Sequence, residues 1–314
     1  MVAERLSPFA LDVAQGLTQS PKTLPCRWLY DALGSALFEA ITQLPEYGLT
    51  RADSALLQSA AGEIVQLAGA PAHVIELGSG TGTKTRHILE ALALVQTADY
   101  APIDISRTAL ESCAAALGNI AGVRVEPVEA QYLEGIECAR QRHRGRALVL
   151  FLGSTIGNFA PEEAVELLHG VRQKLNAGDS LLLGADLVKP REQILRAYDD
   201  ELGVTAAFNL NLLARINREL GGEFRLHRFA HEARYDERLG RVEMHLRARV
   251  ANTVRIQALD LSVQFAERET IWTESSYKFR REDIGVMGQR AGWKLVRQWV
   301  DNEWGFAETL FVAD

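Results

Sequence analysis

The chain predicts an α/β fold: a mostly parallel, doubly wound sheet with a C-terminal antiparallel hairpin, plus a smaller α+β domain. Three observations lead there. Between residues 72 and 188, short apolar runs alternate with helix-length segments, the rhythm of successive βα units. Beyond Lys189 that rhythm stops, and RVEMHLRARVAN alternates with period two, as a half-buried antiparallel strand does. The tail from residue 279 then returns to the first pattern.

Taken in order, residues 1–52 carry turn signals at Ser20-Pro21 and Leu24-Pro25. WLYDALGSALFEAITQL spaces Leu29, Leu33, Leu37 and Ile41 four apart and predicts a helix despite Gly34. DSALLQSAAGEIVQLA (53–68) predicts an amphipathic helix with Asp53 near its start. Five strands are expected at 72–77, 100–105, 123–130, 147–153 and 179–188. The helices between them include SRTALESCAAAL, with Ser106 as N-cap, and PEEAVELLHGVRQKL, with Pro161 in its first turn.

After Lys189 comes a long helical stretch to Leu220. Val242, Met244, Leu246, Ala248 and Val250 then face one way on a strand, and 255–265 with 269–277 continue a meander. The tail supplies a helix, a strand at 293–300, a turn at Asp301-Asn302 and a last strand at 307–313. Without a crossover helix that last strand must run antiparallel. The expected division is 53–188 with 279–314, and 1–52 with 189–278.

Composition narrows the function. Hydrophobic residues at 47% and charged residues at 24% are an ordinary globular balance. A net charge of −7, without a dense Lys/Arg run, argues against a nucleic-acid surface. Cys26, Cys113 and Cys138 are odd in number and widely spaced, which fits neither a disulfide framework nor zinc and makes a reducing cytoplasm the default. The N-terminus, with Glu4 and Arg5, has no apolar signal segment, and ALVLFLG is too short to span a bilayer. The expectation is a soluble intracellular monomer that binds a small molecule and neither nucleic acid nor membrane.

VIELGSGTGTKT sets Gly78, Gly80 and Gly82 between a strand and a helix, where glycine lets the backbone approach a ligand. The spacing departs from the dinucleotide fingerprint Gly-x-Gly-x-x-Gly, and a purely structural turn also accounts for it. The next strand ends in Asp104, 22 residues beyond Gly82 (104 − 82), where a carboxylate can accept from ribose hydroxyls or serve as a turn residue. Loop, acid and terminal hairpin together fit a Rossmann-like, class I S-adenosylmethionine methyltransferase sheet better than a nicotinamide enzyme. Lys84 is placed to reach the cofactor carboxylate, or to sit in solvent. His227 and His231 stand four apart but lack a third ligand, so no metal is expected.

ETIWTESSYKF (269–279) puts Trp272, Glu274 and Ser276 on one face of a strand, an odd set for either core or solvent. With FLGSTIGNF, DSLLLGADLVK, TAAFNLNLLARINREL, PKTLPCRWLYDALGSALFEAITQLPEY, RVEMHLRAR and TESSYKF, the chain resembles the histidine Nα-methyltransferases of ergothioneine biosynthesis over essentially its whole length. That resemblance implies S-adenosylmethionine as cofactor, L-histidine as substrate and hercynine as trimethylated product. It assigns cofactor contacts to Gly78, Gly80, Lys84 and Asp104, with adenine recognition near Gln131 and Tyr132, where the family usually has Asp-Phe. It assigns Asn158 and Tyr198 to the substrate's α-amino and carboxylate groups, and Tyr47 and Tyr30 to the transfer centre. Glu274 and Ser276 would grip the imidazole, with Met244 against the ring. The catalytic set so implied is Tyr47, Asn158 and Tyr198.

The chain departs from the family's Tyr-Tyr-Pro-Thr-Arg, carrying Tyr47-Gly48-Leu49-Thr50-Arg51. Residue by residue, plainer roles stand beside these. Asn158 could cap the following helix, the tyrosines and Met244 could be core, and Glu274 with Ser276 could be a solvated face. The rival functions are an N-methyltransferase for another aromatic amino acid, such as a tryptophan derivative, and a non-catalytic cofactor-binding module. An indole has one N–H and no ring acceptor, which speaks against the first.

Overall fold

The computed structural model describes residues 6–143 and 145–314; Glu4 and Arg5, on which part of the signal-segment reading rests, lie outside them. The chain divides into two compact units, one of residues up to Tyr47 with Pro190–Ser276, the other of Gly48–Lys189 with Tyr277–Asp314.

The second unit is the doubly wound sheet. Its strands are β2 (His73–Leu77), β3 (Ala98–Asp104), β4 (Val123–Val125), β5 (Val128–Glu129), β6 (Ala147–Phe151), β7 (Ser180–Asp186), β13 (Trp293–Asp301) and β14 (Phe306–Ala313). Their order is β13-β14-β7-β6-β2-β3-β4, with β5 also on β3. Strands β2 through β7 pair in parallel, whereas β14 runs antiparallel to both β7 and β13.

Every residue of β2 and β6 is buried, as strands covered on both faces must be. Alternate residues feed two cores. Ile75 and Val149 pack with Ile136 of α6 (Tyr132–Arg142), Leu168 of α7 (Pro161–Gln173) and Ile284 of α10 (Arg281–Arg290). Val74 and Leu148 pack with Leu57 of α3 (Leu49–Leu67), Ile88 of α4 (Arg86–Ala93) and Leu117 of α5 (Arg107–Leu117).

Two expectations change here. The strand foreseen at 123–130 is split between β4 and β5, because Pro127 has no N–H for the ladder. Helix α3 starts at Leu49, which moves Asp53 from the helix start into its second turn, where it is fully buried. Ser106 caps α5 as foreseen, its hydroxyl accepting from the Ala109 N–H at 3.3 Å.

The first unit joins α1 (Pro8–Thr18), α2 (Ala32–Thr42), α8 (Arg191–Tyr198) and α9 (Val204–Leu220) to a sheet ordered β1-β12-β9-β8. Its strands are β1 (Lys22–Thr23), β8 (Phe229–Asp236), β9 (Arg241–Ala248) and β12 (Thr270–Tyr277). Tyr277, the last residue of β12, belongs to the other unit.

The helix expected over 28–44 begins only at Ala32, where Asp31 caps it by accepting from Gly34 N–H at 2.8 Å. The long helical stretch breaks between Tyr198 and Val204: Gly203 takes φ +75°, and Asp200 accepts from Val204 and Thr205 N–H groups. The expected meander also gives way. β10 (Asn252–Ile256) and β11 (Leu261–Phe265) form a separate two-stranded sheet, closed by a turn in which Asp260 is left-handed, with Ile256 also bridged to Gly222. Val242, Met244, Leu246 and Ala248 are buried as expected, but Val250 lies past the end of β9 and is exposed. No described helix is long and apolar enough to cross a membrane.

Candidate functional site

Gly78, Gly80 and Gly82 all adopt positive φ, at +66°, +52° and +70°, which explains glycine at each. A Cβ on Gly82 would come within 2.6 Å of Cys113 Sγ, so that glycine is also demanded by packing. At Gly80 the space a Cβ would enter is open, as close approach by a ligand requires. Asp104 ends β3 beside this loop, accepting from Gly80 N–H at 3.2 Å and Ser106 N–H at 2.8 Å. Burial raises its pKa, and those donors work in the opposite direction. Tyr132 stands with its hydroxyl 3.4 Å from the Cβ position of Gly78, and Gln131 precedes it at the N-cap of α6.

Lys84 is held from below. Its ammonium bonds the fully buried Asp53 carboxylate, which also accepts from Gly153 N–H at 3.1 Å. The base of the loop carries Glu76, whose carboxylate accepts from Thr85 Oγ1 at 2.7 Å and from the Tyr100 hydroxyl. Burial pushes Glu76 up to about 7 despite both donors.

Asn158 closes a short helix, Thr155–Asn158, after β6. The turn into it is strained: Ser154, not a glycine, holds φ +62°, and its Oγ accepts from Asp186 N–H at 2.8 Å. Gly157 is packed so closely that a Cβ would lie 2.7 Å from the Tyr277 carbonyl oxygen. The next helix has its N-cap at Ala160, whose N–H is taken by Glu163. Asn158 therefore does not cap it.

In the other unit the assigned aromatic residues come together. Tyr30 packs edge-on to Phe38 and Phe208, both at 5.4 Å; Tyr47 lies 6.3 Å from Phe38 and 6.3 Å from Tyr198. The Tyr198 hydroxyl donates to Ser276 Oγ at 2.8 Å. Burial, then the charge of Glu274, drives the Tyr30 pKa well above its ordinary value, and the same pair of causes pushes the Cys26 thiol up to about 12. Glu274 is half-buried on β12, near enough to Tyr30 and Cys26 for its charge to act on both. Met244 is 2% exposed, and its carbonyl accepts from the Thr273 hydroxyl at 3.0 Å.

His231 has a structural task here. Nε2 donates to the Tyr198 carbonyl at 2.7 Å, Nδ1 accepts from Asn209 at 3.0 Å, and Thr273 donates to Asn209 Oδ1 at 2.7 Å. That relay ties the end of α8 to the strand bearing Glu274 and Ser276. It requires a neutral ring, and burial lowers the His231 pKa accordingly. No group of side chains that could hold a metal occurs among the described residues.

Sequence reasoning passed over Phe38 and Phe208 in this unit, and Glu76 and Glu308 in the other; it weighed His231 only as a metal ligand and Asp53 only as a residue near a helix start. Glu308 had a legible signal, being a lone charge inside the apolar run FAETLFVA. The others are visible only from contacts made across long sequence separations.

Comparison with known proteins identifies the family. Residues 9–313 match the family described as histidine-specific, SAM-dependent methyltransferase. A histidine N-alpha-methyltransferase of Mycolicibacterium smegmatis is 45% identical over 303 residues, covering 96% of this chain and 94% of that protein. One of Mycobacterium tuberculosis is 42% identical over 302 residues, covering 95% and 93%. The ergothioneine biosynthesis protein 1 of Neurospora crassa is 32% identical over 295 residues, covering 91% of this chain and 33% of that longer protein. The chain belongs to the histidine-specific, S-adenosylmethionine-dependent methyltransferase family.

Proposed function

We propose that this enzyme transfers methyl groups from S-adenosylmethionine to the α-amino nitrogen of L-histidine, three in succession, giving hercynine as the first step of ergothioneine biosynthesis. One geometric observation carries the reading: Ser276, bonded by Tyr198 at 2.8 Å, sits two residues from Glu274 on a strand beside clustered tyrosines. A carboxylate accepts from one imidazole N–H, and a hydroxyl serves the other nitrogen in either role. Residues 53–188 with 279–314 would act as the methyl-donor domain, and 1–52 with 189–278 as the substrate-binding domain.

The residues present fit the cofactor. The open space at Gly80 admits a ligand, and Asp104 offers a carboxylate for ribose hydroxyls. Lys84 would hold the carboxylate end, with Gly78, Gln131 and Tyr132 toward the adenosine. The cofactor supplies an electrophilic methyl on sulfonium. The protein's contribution is alignment, worth about 7–11 kcal/mol where the geometry is right.

The amine must lose its proton first, since a peptide's α-amino group has a pKa of about 8 and a free amino acid's is higher, so the ammonium predominates at neutral pH. Tyr47 is the hydrogen-bond partner that would favour its loss, with Tyr198 and Asn158 fixing the amino-acid end. Later rounds leave a cation with no N–H. Aromatic faces such as those of Tyr30 and Tyr47 hold such a cation with about 0.5–2 kcal/mol each. Glu274 at the ring rather than at the amine respects that change.

The protein would work as a cytoplasmic monomer. The decisive experiment incubates it with S-adenosylmethionine and each proteinogenic amino acid in turn, following methyl gain by mass. Histidine gaining three methyl groups supports the reading; tryptophan modified in its place overturns the substrate, and no transfer at all overturns the enzyme.

A further inference from the structure

Two buried carboxylates behind Lys84 are unexplained by any cofactor contact. Asp53 Oδ2 is engaged by Lys84 and by Gly153 N–H, but Oδ1 is buried without a hydrogen-bond partner among the described residues. Glu308, fully buried on β14, has neither oxygen partnered among them. Its Oε1 lies 2.8 Å from the Cβ position of Gly184, and Gly153 N lies 3.2 Å from that same point. The carboxylates therefore converge on one small volume lined by two glycines.

The surrounding charges are few. The residue opposite Glu308 on β7 is Gly184, and that on β13 is Trp299, whose Nε1 donates outward to Glu63. From α3 comes Asp53 and from the glycine loop Lys84, with Glu76 more distant and bound to two hydroxyls. Asp186, two residues along β7, is held by Lys278 and Lys189. One ammonium thus faces two buried carboxylates, and two orphaned anions there would be costly. A single proton between them resolves the count.

We propose that Asp53 and Glu308 share one proton and act as a positioning pair, aiming the Lys84 ammonium at the carboxylate of the bound cofactor. The Glu308 O–H donates to Asp53 Oδ1, while Asp53 Oδ2 holds Lys84; the cluster is then neutral overall, and Lys84 keeps donors for a second carboxylate. Burial first, then Asp53, raises the Glu308 pKa well above its ordinary value, in the direction this arrangement needs. When Glu308 ionises as pH rises, the cluster gains a net negative charge that repels the cofactor's carboxylate. By linkage, cofactor binding must draw a proton onto the pair. This rests on the assignment of Lys84 to the cofactor carboxylate.

The test is calorimetric titration of the whole protein with S-adenosylhomocysteine and with adenosine, which has no carboxylate, from about pH 6 to 9.5 in buffers of different ionisation enthalpy. The wild type should take up a proton with S-adenosylhomocysteine and bind it more weakly as pH rises. Glu308→Gln, locked neutral, should lose that uptake and the part of the pH slope it causes. Asp53→Asn should weaken S-adenosylhomocysteine about tenfold while adenosine changes less than about twofold. Superimposable profiles for wild type and Glu308→Gln overturn the proposal, as does a variant that loses both ligands together, the mark of a merely structural role. Lys84→Met separates the underlying assignment: unchanged S-adenosylhomocysteine affinity there removes Lys84 from the cofactor, whatever the carboxylates do.

Discussion

At the scale of single residues, Glu274 has the sharpest consequence. A hydrogen bond to a charged partner is worth about 1.5–3 kcal/mol, so Glu274→Ala should weaken histidine roughly 10- to 100-fold. It should also narrow the preference for imidazole over indole, because the rejection of a poor ring depends on a buried group left unpaired. Titrations with histidine and tryptophan check this; unchanged discrimination removes Glu274 from ring recognition. The Tyr198–Ser276 bond makes a separate prediction. A double-mutant cycle of Tyr198→Phe and Ser276→Ala, read by urea unfolding, should return a coupling of about 0.5–1.5 kcal/mol. Additive effects would mean that the 2.8 Å contact contributes nothing net. Glu274 drew notice in the sequence because a carboxylate beside an indole suits neither face of an ordinary strand. His231 drew notice only for its spacing from His227; its structural role was hidden because its partners lie at Tyr198 and Asn209, 33 and 22 residues away.

At the scale of elements, the glycine loop and the strand–helix units were legible because their signals are local. Positive-φ glycines, an N-cap serine and continuous apolar runs each determine structure within a few residues. The misplaced pieces are non-local. Nothing local to 255–265 says that Leu261–Phe265 pairs with Asn252–Ile256 and not with the larger sheet, and only a partner strand reveals that Pro127 breaks a ladder. The departure after Tyr47 has a packing reason. A Cβ on Gly48 would sit 2.2 Å from the Trp304 ring, which itself lies under the Lys189 ammonium and donates to Asp186 at 3.2 Å. Gly48→Ala should therefore overpack this corner and cost about 1–3 kcal/mol. A urea midpoint equal to wild type would show that the indole moves aside freely.

At the scale of the whole molecule, two buried groups set opposing pH dependences. Folded Glu76 titrates at about 7 against an ordinary 4.5, so between those values the folded chain keeps a proton the unfolded chain has lost. Stability from this source falls as pH rises through that window. Buried His73 is pushed down to about 4 from 6.5, by burial first, so the unfolded chain binds the extra proton and stability falls as pH drops through its window. Each contributes on the order of 3 kcal/mol, and they largely cancel where the windows overlap. Relative to wild type, Glu76→Gln should gain stability from about pH 5 to 7, and His73→Gln should resist acid better. Urea unfolding across that range checks both; parallel wild-type and variant curves would contradict the linkage. Family membership was legible at this scale because motifs such as TESSYKF and FLGSTIGNF span the chain, whereas Asp53 and Glu308 lie outside any of those motifs.

Imidazole recognition by Glu274 and Ser276 is measured most directly by a crystal structure with L-histidine and S-adenosylhomocysteine bound. One ring nitrogen is expected within about 2.6–3.2 Å of the Glu274 carboxylate and the other within the same reach of Ser276 Oγ. A histidine ring bound away from both residues, or held with its amine on Glu274, would contradict the account.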